Sequence, residues 1–205
     1  MTATVEAPQK YVGQPLRRRE DPKLMTGAGR FLDDIKLPGM AYAAVLRSPV
    51  AHANIRSIDT SKALAMPGVV GVFTGEDVAD VNPLPCAWQA AGVDNFVNTP
   101  RMLALGAVKQ VGDPIAVVVA ESVYQANDAL EAIEVDFEEL PAVTDARDAI
   151  KAGAPQLHEN AAGNIVMHWT CGKDVATVDQ ALADADVRVS QALTNQRLIP
   201  TAMET

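Results

Sequence analysis

Between Leu37 and Val78 the apolar and polar positions change their period repeatedly, and each change has a local cause. Met40 to Arg47 is an apolar run that ends at Ser48-Pro49. A proline there biases the residue before it away from helix and cannot donate to a central ladder, so a first strand stops at this point. From His52 to Ile58 the residues Ala53, Ile55 and Ser57 alternate with Asn54, Arg56 and Ile58, which predicts a second strand with those two sets on opposite faces. Asp59 then stands at the N-cap of a short helix, Ser61 to Ala65, which Pro67-Gly68 terminates. Val69 to Phe73 is short and β-branched, the pattern of a buried strand, and Thr74 with Asp77 supplies capping-box-like chemistry for a further helical turn.

A second patterned block starts at Met102. Ile115 to Val119 is continuously apolar, as expected for a strand buried on both faces at the centre of a sheet. Ser122 and Gln125 have capping-box spacing, and Ala126, Ala129, Leu130 and Ile133 follow on one helical face. Ile133, Val135 and Phe137 then alternate with Glu134, Asp136 and Glu138, a strand with one dry and one wet face. Strand, helix, strand without a hairpin turn reads as a crossover, so these two strands are expected in one sheet, parallel or at separate positions, with the helix turned towards it.

The flanks are less patterned. Met1 to Gln9 reads as a lead-in, and Tyr11 to Leu24 as an extended arm with a turn at Asp21-Pro22. Thr26-Gly27-Ala28-Gly29 contains a G-x-G, but no apolar strand precedes it, no third glycine follows at the required offset and no helix opens there, so it reads as a turn. Asp80 to Thr99 is a long loop whose Trp88 anchors either a partner or its own domain. Asp145 to Lys151 predicts a short helix, followed by linker composition as far as Gly163. Beyond that boundary a strand at Asn164 to Thr170, a helix capped by Asp174 with Val175, Val178 and Leu182 on one face, and a strand around Val187, Val189 and Leu193 are expected.

Composition narrows the function classes. The chain has 205 residues, 48% hydrophobic and 21% charged, with a formal net charge of -9. That balance opposes binding to nucleic acid or to an anionic membrane, both of which need clustered positive charge. Arg17-Arg18-Arg19 is followed at once by Glu20-Asp21 and reads as a solvated or locally paired face. Two cysteines, Cys86 and Cys171, cannot build a disulfide framework and fit free thiols in a reducing compartment. With no secretion signal and no membrane-length apolar run, the expected location is cytoplasmic. His52, His158 and His168 are far apart, and His168-x-x-Cys171 is a two-ligand pattern too sparse for zinc. The carboxylates Glu134, Asp136, Glu138 and Glu139 read as solubilising surface. No catalytic, cofactor-binding or metal-ligating residue is assigned within the chain.

The ordered set of short motifs resembles a known family. Thr26-Gly27-Ala28-Gly29-Arg30-Phe31 with Asp33-Asp34, Leu37-Pro38-Gly39-Met40, Arg47-Ser48-Pro49 with Ala51-His52-Ala53, Ile58-Asp59 and Pro67-Gly68-Val69 form the first block. Val111-Gly112-Asp113-Pro114, Ala120-Glu121 and Leu140-Pro141-Ala142-Val143 form the second. Together they are similar to the N-terminal part of the large, molybdopterin-binding subunit of the xanthine dehydrogenase, aldehyde oxidase and aerobic carbon monoxide dehydrogenase family.

The resemblance implies an α/β (α+β) fold: a hammerhead-like mixed sheet with covering helices, then the beginning of a second α/β cofactor-binding domain. The implied divisions are an arm at 1–25, the hammerhead domain at 26–148, a linker at 149–164 and the incomplete start of the molybdopterin-binding domain at 165–205. Gln191 through Gln196, Pro200, Met203 and Glu204 resemble the first strand region of that domain. The whole subunit would oxidise or hydroxylate a small molecule at a Mo-molybdopterin centre, in the cytosine dinucleotide form. Its implied partners are an iron-sulfur small subunit with [2Fe-2S] clusters, a medium subunit with FAD, and the remainder of the large subunit. The family's cofactor-holding glycine loops and its catalytic glutamate match nothing here, so this stretch is expected to be structural and inactive alone. A non-catalytic binding or assembly module on the same domain is the alternative. Carbon monoxide, aldehydes, purines and other N-heterocycles all remain open as substrates.

Overall fold

The computed structural model describes residues 11–85, 99–195 and 198. Trp88, Cys86, Gln196, Pro200, Met203 and Glu204 lie outside the described residues, and with them the readings placed on those side chains. The chain divides into two compact units, Met1–Pro38 with Ala192–Thr205, and Gly39–Gln191.

In the first unit the expected extended arm is replaced in part by helix α1 (Asp21–Met25). Pro22 lies in its first turn, where a fixed φ suits the helix and the missing N–H has no intrahelical role. Asp21 accepts the Arg18 backbone N–H at 3.1 Å and the Arg18 side-chain Nε–H at 3.0 Å, so the middle arginine of the basic run is locally paired. The G-x-G closes this helix. Gly27, with φ +70°, lets Ala28 N–H turn back to Lys23 O at 2.8 Å, and Thr26 Oγ1 donates to Pro22 O at 2.7 Å.

The second unit carries two three-stranded sheets. Its elements in chain order are β1 (Tyr42–Arg47), β2 (Ala53–Asp59), α2 (Ser61–Leu64), β3 (Val69–Thr74), β4 (Ala107–Val108), β5 (Pro114–Ala120), α3 (Val123–Glu131), β6 (Glu134–Glu139), α4 (Ala146–Ala149) and α5 (Val175–Ala183). One sheet has the order β1-β5-β3 and the other β4-β2-β6. All these pairings are antiparallel.

The central position expected of Ile115–Val119 holds, because β5 pairs with β1 on one edge and β3 on the other. The expectation that it shares a sheet with Ile133–Phe137 does not hold. Both hydrogen-bonding edges of β5 are taken, so β6 joins β2 in the second sheet. Helix α3 is oriented as its pattern predicts: Ala126 and Ala129 are fully buried, and Leu130 and Ile133 pack with them against Ala44, Ala116, Val118 and Ala120. Ser122 caps it, accepting Gln125 N–H at 3.3 Å. The Gln125 side chain accepts the Ser122 hydroxyl and donates to Pro67 O at 3.2 Å, which fastens the helix to the turn before β3.

Two cores result. Ala44, Ala63, Ala116, Val118 and Ala120 belong to the one under α3, and Ala53, Val108 and Ile115 to the other. Leu46, Ile58 and Val135 pack against both, and so join the sheets. Gly75 permits a further close approach: a Cβ there would stand 2.1 Å from the carbonyl oxygen of Ala104, a backbone atom that cannot swing aside.

Strict alternation along β2 would put Ile58 on the wet face. Instead the register passes from Ile55↔Phe137 to Ser57↔Asp136 and Ile58↔Val135, with Arg56 as the extra residue of a bulge. Ser57 is thereby exposed and Ile58 turned inward. We expect Ile58→Ala to lower the unfolding free energy by about 1–2 kcal/mol, as for a half-buried Ile losing its contacts, and Ser57→Ala by less than about 0.5 kcal/mol. Chemical denaturation of both variants checks this, and the reverse order would mean an unbulged strand.

Beyond Gly163 the outcome is divided. Helix α5 forms with Asp174 Oδ1 accepting Thr177 N–H at 2.9 Å, as its cap predicts. The strands expected at Asn164–Thr170 and around Val187–Leu193 are not formed among the described residues. A strand needs a partner for its backbone groups, and no described segment pairs with either one.

Candidate functional site

The two motif blocks meet at the end of β1. Ser48 N–H donates to Asp113 O at 2.8 Å, Gly112 N–H donates to Ser48 O at 2.8 Å, and Arg47 Nη1 donates to Gly112 O at 3.0 Å. The Ser48 side chain is buried and satisfied locally, donating to Val50 O at 2.7 Å and accepting Val50 N–H at 3.2 Å. Asp113 Oδ2 accepts the N–H groups of Lys109 at 2.7 Å and Gln110 at 3.3 Å. Arg47-Ser48-Pro49 and Gly112-Asp113-Pro114 are thus one brace, holding β1 against the start of β5 through backbone groups. A similar tie closes the other sheet, where His52 Nδ1 lies 2.8 Å from Pro141 O and Leu140 N–H donates to His52 O at 2.9 Å.

Behind Asp113 lies a cavity of about 480 Å³, with Arg101, Lys109 and His158 on its polar side. Lys109 Nζ is 3.4 Å from His158 Nδ1. Partial burial lowers the His158 pKa below its ordinary value, the Lys109 ammonium adds to this, and Asp113 opposes it. The imidazole is therefore neutral near pH 7 and accepts from the lysine.

What brings His158 here is Asn164, one of the residues read as linker. With φ +59°, it donates through Nδ2 to Ala149 O and Pro155 O, each at 2.9 Å, and accepts Leu157 N–H at 2.9 Å. Sequence reasoning missed this pair. The available signal was Gly163-Asn164, since asparagine tolerates the left-handed region and can bond its neighbours' backbone.

The other candidate positions are dispersed. Glu134 pairs with Lys62, and Glu138 with Arg56 at 3.5 Å, so the acidic face of β6 is an exposed, partly neutralised surface. His168 and Cys171 are both exposed. Asp145 caps α4, and the Arg147 side chain hydrogen-bonded to it holds its carboxyl at about 2. Among the described residues no three His, Cys, Asp or Glu side chains converge as metal ligands, and no helix is long and apolar enough to cross a membrane. The Thr26–Gly29 turn sits at a helix C-terminus, whose carbonyl oxygens repel phosphate. The Thr26–Gly29 turn is therefore not the helix N-terminus that would favour a phosphate group.

Residues 26–141 match the family described as aldehyde oxidase and xanthine dehydrogenase, a/b hammerhead domain. The chain is similar to the carbon monoxide dehydrogenase large chain of Hydrogenophaga pseudoflava, 37% identical over 91% of this chain and 24% of that one. It is also similar to the xanthine dehydrogenase molybdenum-binding subunit of Escherichia coli O157:H7, at 35% identity over 80% of this chain and 22% of that one. Among solved structures, quinoline 2-oxidoreductase from Pseudomonas putida 86 aligns with a TM-score of 0.66 and 42% identity, covering 74% of this chain and 19% of that one. The chain spans less than a quarter of the length of each of these proteins.

The lowered pKa of His158 has a definite sign in stability. Above the unfolded value, about 6.5, both states hold the ring neutral; as pH falls through it, the unfolded chain takes up the proton first, and folded stability drops until the folded pKa is passed. We expect His158→Gln to reduce the fall in stability between about pH 7 and pH 5, read from urea midpoints at several pH values. An unchanged pH profile would mean that His158 is solvated as in the unfolded chain.

Proposed function

We propose, for a chain that belongs to the aldehyde oxidase and xanthine dehydrogenase a/b hammerhead family, that it is the N-terminal scaffold of a molybdenum-dependent oxidoreductase large subunit and contributes none of the reacting groups. Its relatives are molybdenum-dependent oxidoreductases. The observation that carries the structural role is the use made of the motif residues. Arg47, Ser48, His52, Gly112 and Asp113 direct their polar groups at backbone atoms of the domain itself. Groups satisfied in this way brace a fold, whereas a catalytic group must keep a lone pair or proton free for substrate.

On this reading residues 26–148 form the hammerhead domain, 149–164 connect it onward, and 165–205 begin the domain that holds Mo-molybdopterin. The exposure of Val175, Val178 and Leu182 along α5, and of Val187 and Val189 after it, supports this. An amphipathic helix of this length gains its stability from a surface to pack on. The cytosine dinucleotide form of the cofactor, [2Fe-2S] and FAD on small and medium subunits, and a small-molecule substrate complete the proposed assembly.

Two measurements test the reading. The purified 205-residue chain is expected to carry no stoichiometric molybdenum, iron or flavin by metal analysis and absorption spectroscopy. One equivalent of any of them would overturn the scaffold role. In limited proteolysis with mass mapping, cleavage is expected after Gly163 well before it occurs within Thr26 to Asp148, with protection gained when the remainder of the subunit is supplied. Equal protection of both regions in a monomeric sample would count against 165–205 being the start of a second domain.

A further inference from the structure

We propose that the cavity behind Asp113 binds a small organic carboxylate, held by Lys109, with Arg101 nearby, at its charged end and by apolar walls along its body. The volume, about 480 Å³, falls in the range of small-molecule sites, roughly 300–1,000 Å³. Pro83, Pro100, Ala104, Leu105, Pro114 and Leu157 provide the walls.

The charge in the cavity is unbalanced in favour of an anion. Asp113, its one carboxylate, is turned into the backbone N–H groups of Lys109 and Gln110. Among the described residues no carboxylate oxygen lies within 4.0 Å of the Lys109 ammonium, whose contact is the long one to a neutral imidazole. Arg101 stands at the same cavity, with Nη1 fixed by the carbonyls of Ala79 at 3.2 Å and Val81 at 3.3 Å. It contributes a held positive charge.

A carboxylate entering here replaces the weak ammonium–imidazole contact with a charge-assisted hydrogen bond, the stronger kind. The site is also built in advance. Lys109 follows β4, and the segment bearing His158 is pinned by three Asn164 side-chain hydrogen bonds, so little ordering is needed on binding. Lys109 and Arg101 against the one carboxylate of Asp113 leave a single net positive charge, which matches a monoanion. A phosphate dianion would need further donors.

Benzoate and benzamide, alike in shape but not in charge, are the probes. Titrating the 205-residue chain and following the His158 ring signals by NMR, we expect saturable shifts with benzoate and at least roughly tenfold weaker binding of benzamide. Lys109→Met is expected to weaken benzoate by roughly tenfold, Lys109→Arg to retain most of the affinity, and Lys62→Met, whose parent lysine pairs with Glu134, to leave it unchanged. Equal binding of the two probes, absence of a saturable shift, or full affinity in Lys109→Met would overturn the assignment. The comparison of the two probes uses the unsubstituted chain, so it decides the matter even if a variant fails to fold.

Discussion

The burial of β5 on both faces is the constraint on which the rest of the second unit depends. Ala116, Val118 and Ala120 point to α3, while Ile115 points into the other core. Fully burying a Val or Ile side chain is worth about 1.5–3 kcal/mol, so this one strand anchors both clusters. Such burial also draws its N–H and C=O groups away from water, and they must be paired on both edges. β1 and β3 meet that demand from either side. Once they do, no edge remains for β6, and the second sheet has to form around β2.

The polar residues follow from the same requirement. The brace between Ser48 and Asp113 lies where β1 ends beside the start of β5, and backbone groups leaving a ladder there would otherwise be stranded. Leaving one such group unpaired costs about 1–3 kcal/mol, comparable to a substantial share of a small domain's net stability. The surface ion pairs are of lesser weight. Lys62 with Glu134 and Arg56 with Glu138 are exposed, and pairs of that kind contribute about 0–1 kcal/mol. Their use lies in keeping an acidic strand soluble and in register beside β2.

In the motif residues Arg47, Ser48, His52 and Asp113 the polar side-chain atoms bond backbone groups of the domain itself. What the motifs do not account for is the cavity beyond Asp113, where Lys109, Arg101 and His158 converge from separate segments.

The sequence by itself determined the local elements. The strands at β1, β3, β5 and β6, the caps at Ser122 and Asp174, and the apolar face of α3 all follow from rules acting within a few residues, so composition and spacing suffice to read them. The ordered motifs also identified the family. Tertiary structure alone decided which sheet each strand joins, because edge availability depends on every other strand at once. It decided the bulge at Arg56, which moved Ile58 into the shared core against the simple alternation. It decided that Asp21-Pro22 opens a helix, since Arg18 closes on Asp21 across the turn. Above all it brought Lys109 to His158, 49 residues apart in the chain, through a left-handed Asn164 at the end of a segment that composition marks as linker. Long-range pairs of this kind leave no period in the sequence, because the physical cause is the closure of a loop on a folded surface.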